Sequence, residues 1–179
     1  GCIILSVLCE RNKCYGVALD ISKKALNIAK YNAKIQQIKN RIKFVNSDID
    51  KFKWGTYDLI LSNPPYIKNC KINYLDEDIR LFEPKIALNG GIDGYSRIKT
   101  IINRSTVLIK KKGKLFLEVD NDQMNQTTRL LKNRGFGDSF TGTTTAAVAA
   151  AGANDIGVFT LRKSKPKFIL KDSWNYPAE

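Results

Sequence analysis

The four residues Asn63-Pro64-Pro65-Tyr66 are the strongest chemical signal in the chain, because they directly follow an apolar run, Tyr57 to Ser62, and place two carbonyl groups at its end. The arrangement suits methyl transfer to a planar NH2 group. The nitrogen of an amide or exocyclic amine is a poor nucleophile, since its lone pair is delocalised, so a site must hold it in line with an electrophilic methyl. The Asn63 side-chain carbonyl and the Pro64 backbone carbonyl can each accept one N–H, which orients the nitrogen and favours the positive charge that develops on it. Tyr66 can pack on the planar group, while Pro64 and Pro65 stiffen the loop and reduce the entropy lost on binding. A methylated, positively charged nitrogen loses its proton to water unaided, so no general base is needed. A plain strand followed by a proline turn is the competing reading.

Two acids stand at comparable places. Asp20 closes the run Val17-Ala18-Leu19, where a carboxylate can accept both hydroxyls of an adenosine ribose; alternatively it caps the helix that follows. Asp48 and Ile49 follow the next β-favouring run, where an acid accepts from an adenine amino group and an apolar neighbour packs on the ring. A turn-forming Asp competes with that reading. The sequence has no histidine, which excludes Ser-His-Asp and Cys-His catalysis, imidazole relays and histidine zinc sites. Cys2, Cys9, Cys14 and Cys70 contain no C-x-x-C pair, so neither a metal site nor a redox motif is expected, and reduced, partly buried thiols fit a cytoplasmic setting.

The elements that must position these residues alternate. Cys14–Asp20 reads as a strand, Ser22 as the N-cap of a helix carrying Ala25, Leu26, Ile28, Ala29, Ala33 and Ile35, Arg41–Asn46 as a second strand, and Tyr57–Ser62 as a central parallel strand. Prolines and glycines mark a long loop from about Asn63 to Gly94, a length usually tied to function. A helix with Ile98, Ile101, Ile102 and Leu108 is expected to end in Lys110-Lys111-Lys112-Gly113, cations followed by glycine, before a strand Lys114–Val119 and a polar helix from about Asp122 to Lys132. The order predicts a doubly wound, mostly parallel sheet, with Asp20, Asp48 and Asn63 all at strand carboxyl ends, where such sheets bind ligands. Beyond it, Thr141–Ala153 is a low-complexity stretch, Val158–Leu161 a candidate edge strand, and Arg162–Lys171 a basic segment.

The 179 residues fit one domain with a substantial core, 43% of them being apolar. The formal charge is +13, from 30 Lys and Arg against 17 Asp and Glu. In a chain also heavy in Ile and Asn this lysine-led excess reflects base composition as readily as a polyanionic partner, though RNA or DNA is compatible with it. The apolar opening, Gly1–Cys9, is nine residues long and far from the roughly 20 that span a bilayer, so it reads as a buried helix rather than a membrane segment. Met124 is the only methionine, and a chain opening on Gly1 is expected to be a piece of something longer.

The segments VALDISKKALNIAKYNA, YDLILSNPPYI and FEPKIALNGGIDGYSRI together resemble the bacterial peptide-chain release factor glutamine N5-methyltransferases, over about Gly1 to Phe136. The resemblance implies a Rossmann-like class I α/β fold in residues 1–136, an atypical segment in 137–179, and S-adenosyl-L-methionine as cofactor. It also implies methylation of the glutamine side-chain amide in the GGQ motif of release factors. By matching position, Asp20 would hold the ribose, Asp48 and Ile49 would lie near the adenine, Asn63 would face both cofactor and substrate, and Asn63 to Tyr66 would take the glutamine. Gly1 matches the last residue of the family's glycine-rich cofactor loop, so the family's first strand and its N-terminal helical domain are expected to lie outside the chain. Asp120 stands where the family usually has Gly. Two other readings stay open: a nucleic-acid amino-methyltransferase acting on adenine N6 or guanine N2, and an inactive fragment or binding module.

Overall fold

A computed structural model describes residues 1–137, together with the strand backbones at 140–141 and 147–150. The candidate edge strand Val158–Leu161 and the basic segment Arg162–Lys171 lie outside the described residues. Helix α1 (Cys2–Glu10) precedes strand β1 (Gly16–Asp20), helix α2 (Lys23–Ile35) and strand β2 (Ile42–Asn46). Strand β3 (Tyr57–Ser62) leads through short helices α3 (Glu77–Phe82) and α4 (Lys85–Leu88) to α5 (Ser96–Leu108) and strand β4 (Ile109–Leu117). Helix α6 (Met124–Asn133) and strands β5 (Phe140–Thr141) and β6 (Ala147–Ala150) follow.

The opening apolar run does form a helix, but only Leu5 and Leu8 are buried while Ile3 stays 46% exposed. One face, not the whole helix, is therefore in the core. That face lies so close to β1 that a Cβ on Gly16 would meet Ile4 Cδ1 at 2.7 Å. The Arg41 guanidinium gathers the carbonyls of Leu8, Arg11 and Cys14 at 2.8–3.1 Å, a cation at the carboxyl end of α1 where the helix dipole favours it. Leu5, Leu8, Ala33 and Ile38 form a small core around this half, and Ser22 caps α2 by accepting from the Ala25 amide at 3.2 Å. Ile28 and Ile35, at helical spacing with the buried face, are instead more than half exposed. All four cysteines are free and exposed, not partly buried as expected.

A larger core joins α5, β4 and α6 through Ile98, Ile101, Ile102, Leu115, Leu117, Met124 and Leu131. Strands pair in parallel as β1 with β2 and β3 with β4, and β4 continues antiparallel into β6 and β5. The described strands thus form two sheets, β1-β2 and β3-β4-β6-β5, rather than one. The expectation that β3 is central is corrected accordingly: among the described residues it pairs only with β4, and Leu59 is 41% exposed. The low-complexity stretch supplies a strand of its own, β6, paired along Lys114–Leu117.

The lysine run also departs from expectation. Helix α5 ends at Leu108, and Lys110 to Gly113 belong to β4, where the register jumps from Tyr57↔Ile109 to Leu59↔Lys114. The extra residues bulge out of the ladder, with Lys112 taking the left-handed turn at φ 68°. Gly113 is needed for close approach, since a Cβ there would meet Lys110 O at 2.9 Å and Tyr57 O at 3.0 Å. The segment from Asn63 to Gly94 is not the open loop expected. It folds back on itself through an isolated parallel bridge, Ile67 to Asn89, with Ile67 N donating to Leu88 O and Gly90 N to Ile67 O.

Candidate functional site

Each candidate residue except Gly1 is placed by the end of a parallel strand. Asp20 ends β1 opposite Asn46, whose side-chain amide donates to the carbonyls of Asp20 and Ile21, and Ser47 N also donates to Asp20 O. The Asp20 carboxylate accepts the Ser22 amide on Oδ1 at 2.8 Å, leaving Oδ2 outside every described hydrogen bond. Ser22, not Asp20, is the N-cap of α2, and Asp20 Oδ1 holds the turn that leads into it. Asp48 lies just beyond β2 as the N-cap of a 3-10 turn, its Oδ1 accepting the Asp50 amide at 3.3 Å. Its Oδ2 faces Arg97 Nη1 at 3.2 Å, so the turn role and an ion pair coexist in one side chain. Ile49 is half-buried and packs against the larger core.

Asn63 follows β3 and is exposed, with its side chain in no described hydrogen bond, while Pro64 behind it is buried. Tyr66 packs half-buried against the larger core. Burial raises its phenol above the ordinary tyrosine range, and the nearby Glu118 and Asp120 charges push in the same direction. Glu118 follows β4 next to this tetrapeptide, its amide donating to Ser62 O at 3.0 Å. Burial raises its carboxyl, and the Tyr66 hydroxyl opposes that rise by hydrogen bonding. Gln123 is 7% exposed and donates from Nε2 to Tyr66 O at 3.0 Å and to Gly94 O at 2.9 Å. Gly1 is exposed at the start of α1, its Cα hydrogens against Ala29, where a Cβ would come within 2.4 Å of the alanine methyl.

The structure brings the candidates together in two groups. Asp20 and Asp48 share the carboxyl end of the β1-β2 sheet, and Asn63 to Tyr66 share the end of the β3-β4 pair with Glu118. Arg97, in the first turn of α5, ties Asp48 to the segment that also carries Gly94, and Gln123 ties Gly94 to Tyr66. The sequence assigns no role to Arg97, whereas Glu118 and Gln123 lie in the LEVDNDQ stretch of the family resemblance, where Asp120 replaces the usual Gly. The long-range partners of Arg97 and Gln123 lie 29 to 57 residues away, a separation at which neither spacing nor periodicity carries a signal; only the capping box of Asp120 and Gln123 is local. A shallow hollow of about 400 Å³ opens beside the group, lined by Lys85, Ile86, Asn89, Gly90, Gly91, Ser96 and Arg97. Asp20 and Asn63 do not line it.

Residues 1–79 match the family model described as methyltransferase small domain. The match covers the part of the chain that carries Asp20, Asp48 and Asn63 to Tyr66. It is 32% identical over 139 residues to the release factor glutamine methyltransferase of Clostridium acetobutylicum, covering 76% of this chain and 49% of that protein. It is 33% identical to the same-named protein of Rhodospirillum rubrum, over 75% of this chain and 42% of that one. The chain therefore spans about half the length of the curated relatives it matches. A methyltransferase from Pyrococcus furiosus, of known crystal structure, superposes with a TM-score of 0.60 at 16% identity, over 84% of this chain and 70% of that one. The fold is that of the class I, S-adenosylmethionine-dependent methyltransferases.

Proposed function

We propose that this methyltransferase domain transfers a methyl group from S-adenosyl-L-methionine to the side-chain amide nitrogen of the glutamine in the GGQ motif of peptide-chain release factors. The observation that carries the reading is the exposed, unpaired Asn63 side chain at the carboxyl end of β3, backed by the buried Pro64. The names of the relatives support the release factor as substrate.

The donor set suits the cofactor. Asp20 keeps one carboxylate oxygen for ribose hydroxyls, and a carboxylate paired with Arg97 retains lone pairs for an adenine amino group at Asp48, with Ile49 beside it. Gly1 packs on Ala29 at the start of α1, and its place beside the cofactor rests on the family resemblance. Bound there, the cofactor supplies an electrophilic methyl group. The chain's own residues do the rest. Asn63 Oδ1 and Pro64 O each accept one N–H of the glutamine amide, Pro65 holds the turn, and Tyr66 packs on the amide plane. As the nitrogen takes the methyl it becomes positive, the two carbonyls stabilise that charge, and the surplus proton leaves to water. Most of the acceleration then comes from position and fixed dipoles, in keeping with a sequence without histidine. We place this activity in residues 1–136, in the cytoplasm.

Incubating the whole protein that carries this chain with a release factor and labelled S-adenosylmethionine tests the assignment, the expected result being label on the GGQ glutamine alone. The net charge of +13 gives a nucleic-acid amino group its own claim as acceptor. Label on bare RNA or DNA, falling steeply with salt, with none on the release factor, would overturn the protein-glutamine reading.

A further inference from the structure

We infer that Gln123 is the positioning residue of the Asn63–Tyr66 tetrapeptide, a buried amide that fixes the acceptor carbonyls by holding the backbone on which they stand. The inference rests on the proposed glutamine-methylation reading for its catalytic consequence, but not for its structural content.

Three segments far apart in sequence meet at this one side chain. Nε2 spends both hydrogens, one on Tyr66 O at 3.0 Å and one on Gly94 O at 2.9 Å. On the other side of the amide, Oε1 accepts the Asp120 amide in a capping box that starts the turn leading into α6. Gln123 O accepts the Thr127 hydroxyl at 2.8 Å, anchoring the residue to the first turn of α6. Both of its polar ends are therefore used in a position that is 7% exposed. No other side chain of this size supplies two hydrogens from one neutral atom and an acceptor beside it except a primary amide. Asn is one methylene shorter, a Glu carboxylate has no hydrogen to give, and Met matches the length without any polar group.

The leverage on the tetrapeptide follows from proline geometry. Between Pro64 O and Tyr66 O the chain passes through Pro65, whose φ is locked by its ring, so few torsions separate the two carbonyls. Holding Tyr66 O then sets where Pro64 O points. The other bonds of the neighbourhood run the same way: Ile67 N donates to Leu88 O at 3.1 Å and Gly90 N to Ile67 O at 2.8 Å. The second partner is equally constrained. Gly94 takes φ 72°, and a Cβ there would meet Tyr66 O at 2.5 Å and Gln123 Nε2 at 2.9 Å. The turn at Gly94 has room for the Gln123 amide and for nothing more.

Hydrogen exchange read by mass spectrometry, with methyl-transfer kinetics on the same whole protein, tests this. In Gln123→Met, peptides covering 66–70 and 88–94 should exchange roughly tenfold faster or more, while those from β1 and α2 keep their rates. Gly94→Ala presses on Tyr66 O and on Gln123 Nε2 from the other side of the same contact while leaving the Gln123 side chain in place; it should give the same pattern, which keeps the question decidable if Gln123→Met fails to fold. Turnover should fall at least roughly tenfold in both variants with the KM for cofactor little changed, since Asp20 and Asp48 are untouched. Unchanged exchange in the two peptides would overturn the inference. So would faster exchange with unaltered turnover, which would leave Gln123 a purely structural residue. If the unaltered protein does not methylate glutamine at all, it is the functional reading that fails, and the exchange data alone decide whether Gln123 holds the tetrapeptide.

Discussion

Asn63 and Asp20 differ in what a substitution should change. Asn63 is exposed and meets no partner until an acceptor arrives, so Asn63→Ala should lower turnover by about two to three orders of magnitude, on the scale of about 3–4 kcal/mol for losing one oriented dipole in a transition state. Steady-state kinetics with a release factor measure it, and unchanged turnover would remove Asn63 from the chemistry. Asp20→Ala should mainly weaken cofactor binding, by roughly tenfold to a hundredfold for a lost charged hydrogen bond, as read by calorimetry. Glu118 offers a test in pH. Burial raises its folded-state carboxyl above the unfolded value, so the folded state binds the proton more tightly. Its favourable contribution is fully present below the unfolded pKa and is lost as pH rises through the folded one. Glu118→Gln should therefore raise Tm at neutral pH, with the gain shrinking as pH falls through the carboxylate range. A gain that is the same at every pH would contradict burial as the cause.

Among the elements, β4 shows most clearly how pairing overrides a local signal. Three lysines and a glycine resemble a helix end, yet the ladder with β3 takes them into the strand and expels the surplus residues as a bulge. Gly113 is where this matters energetically, because the Ile109 side chain and two carbonyls crowd its missing Cβ. Gly113→Ala should destabilise the protein by about 1–3 kcal/mol, the usual cost of forcing extra volume into a packed site. Urea denaturation checks it, and a change below a few tenths would mean that the bulge yields freely. The segment after β3 makes the same point. Its prolines and glycines mark a break in periodicity correctly, but only the Ile67–Asn89 bridge turns the stretch into a folded-back unit against the site.

In the molecule as a whole, stability is divided unequally. Among the described residues, the β1-β2 half has four buried residues in its cluster and a sheet of two strands, whereas ten residues form the cluster around α5, β4 and α6. Two-stranded sheets are marginal unless something packs on them. Native-state exchange should accordingly show β1 and β2 amides opening at lower free energy than those of Leu115 to Leu117, by about tenfold or more in rate. Equal protection would mean that the two halves unfold as one. Arg97 and Arg104, bonded to Asp48 and to Phe52 O, are the polar links from α5 to the residues just after β2. Cofactor bound across Asp20 and Asp48 should narrow the difference in protection.

By itself the sequence determined the order of the elements, the strand ends that carry Asp20, Asp48 and Asn63, and the capping role of Ser22, because periodicity, turn residues and caps act over a few neighbouring residues. It also carried the family resemblance, since whole segments around those strand ends are shared. Only the tertiary structure decided that Asp48 is paired with Arg97, that Glu118 lies against Tyr66, and that Gln123 holds the tetrapeptide to the Gly94 turn. It also decided that the described strands divide into two sheets, with β3 at an edge. Each of these depends on residues brought together across long loops, where backbone register and packing, and not local preference, select the partner.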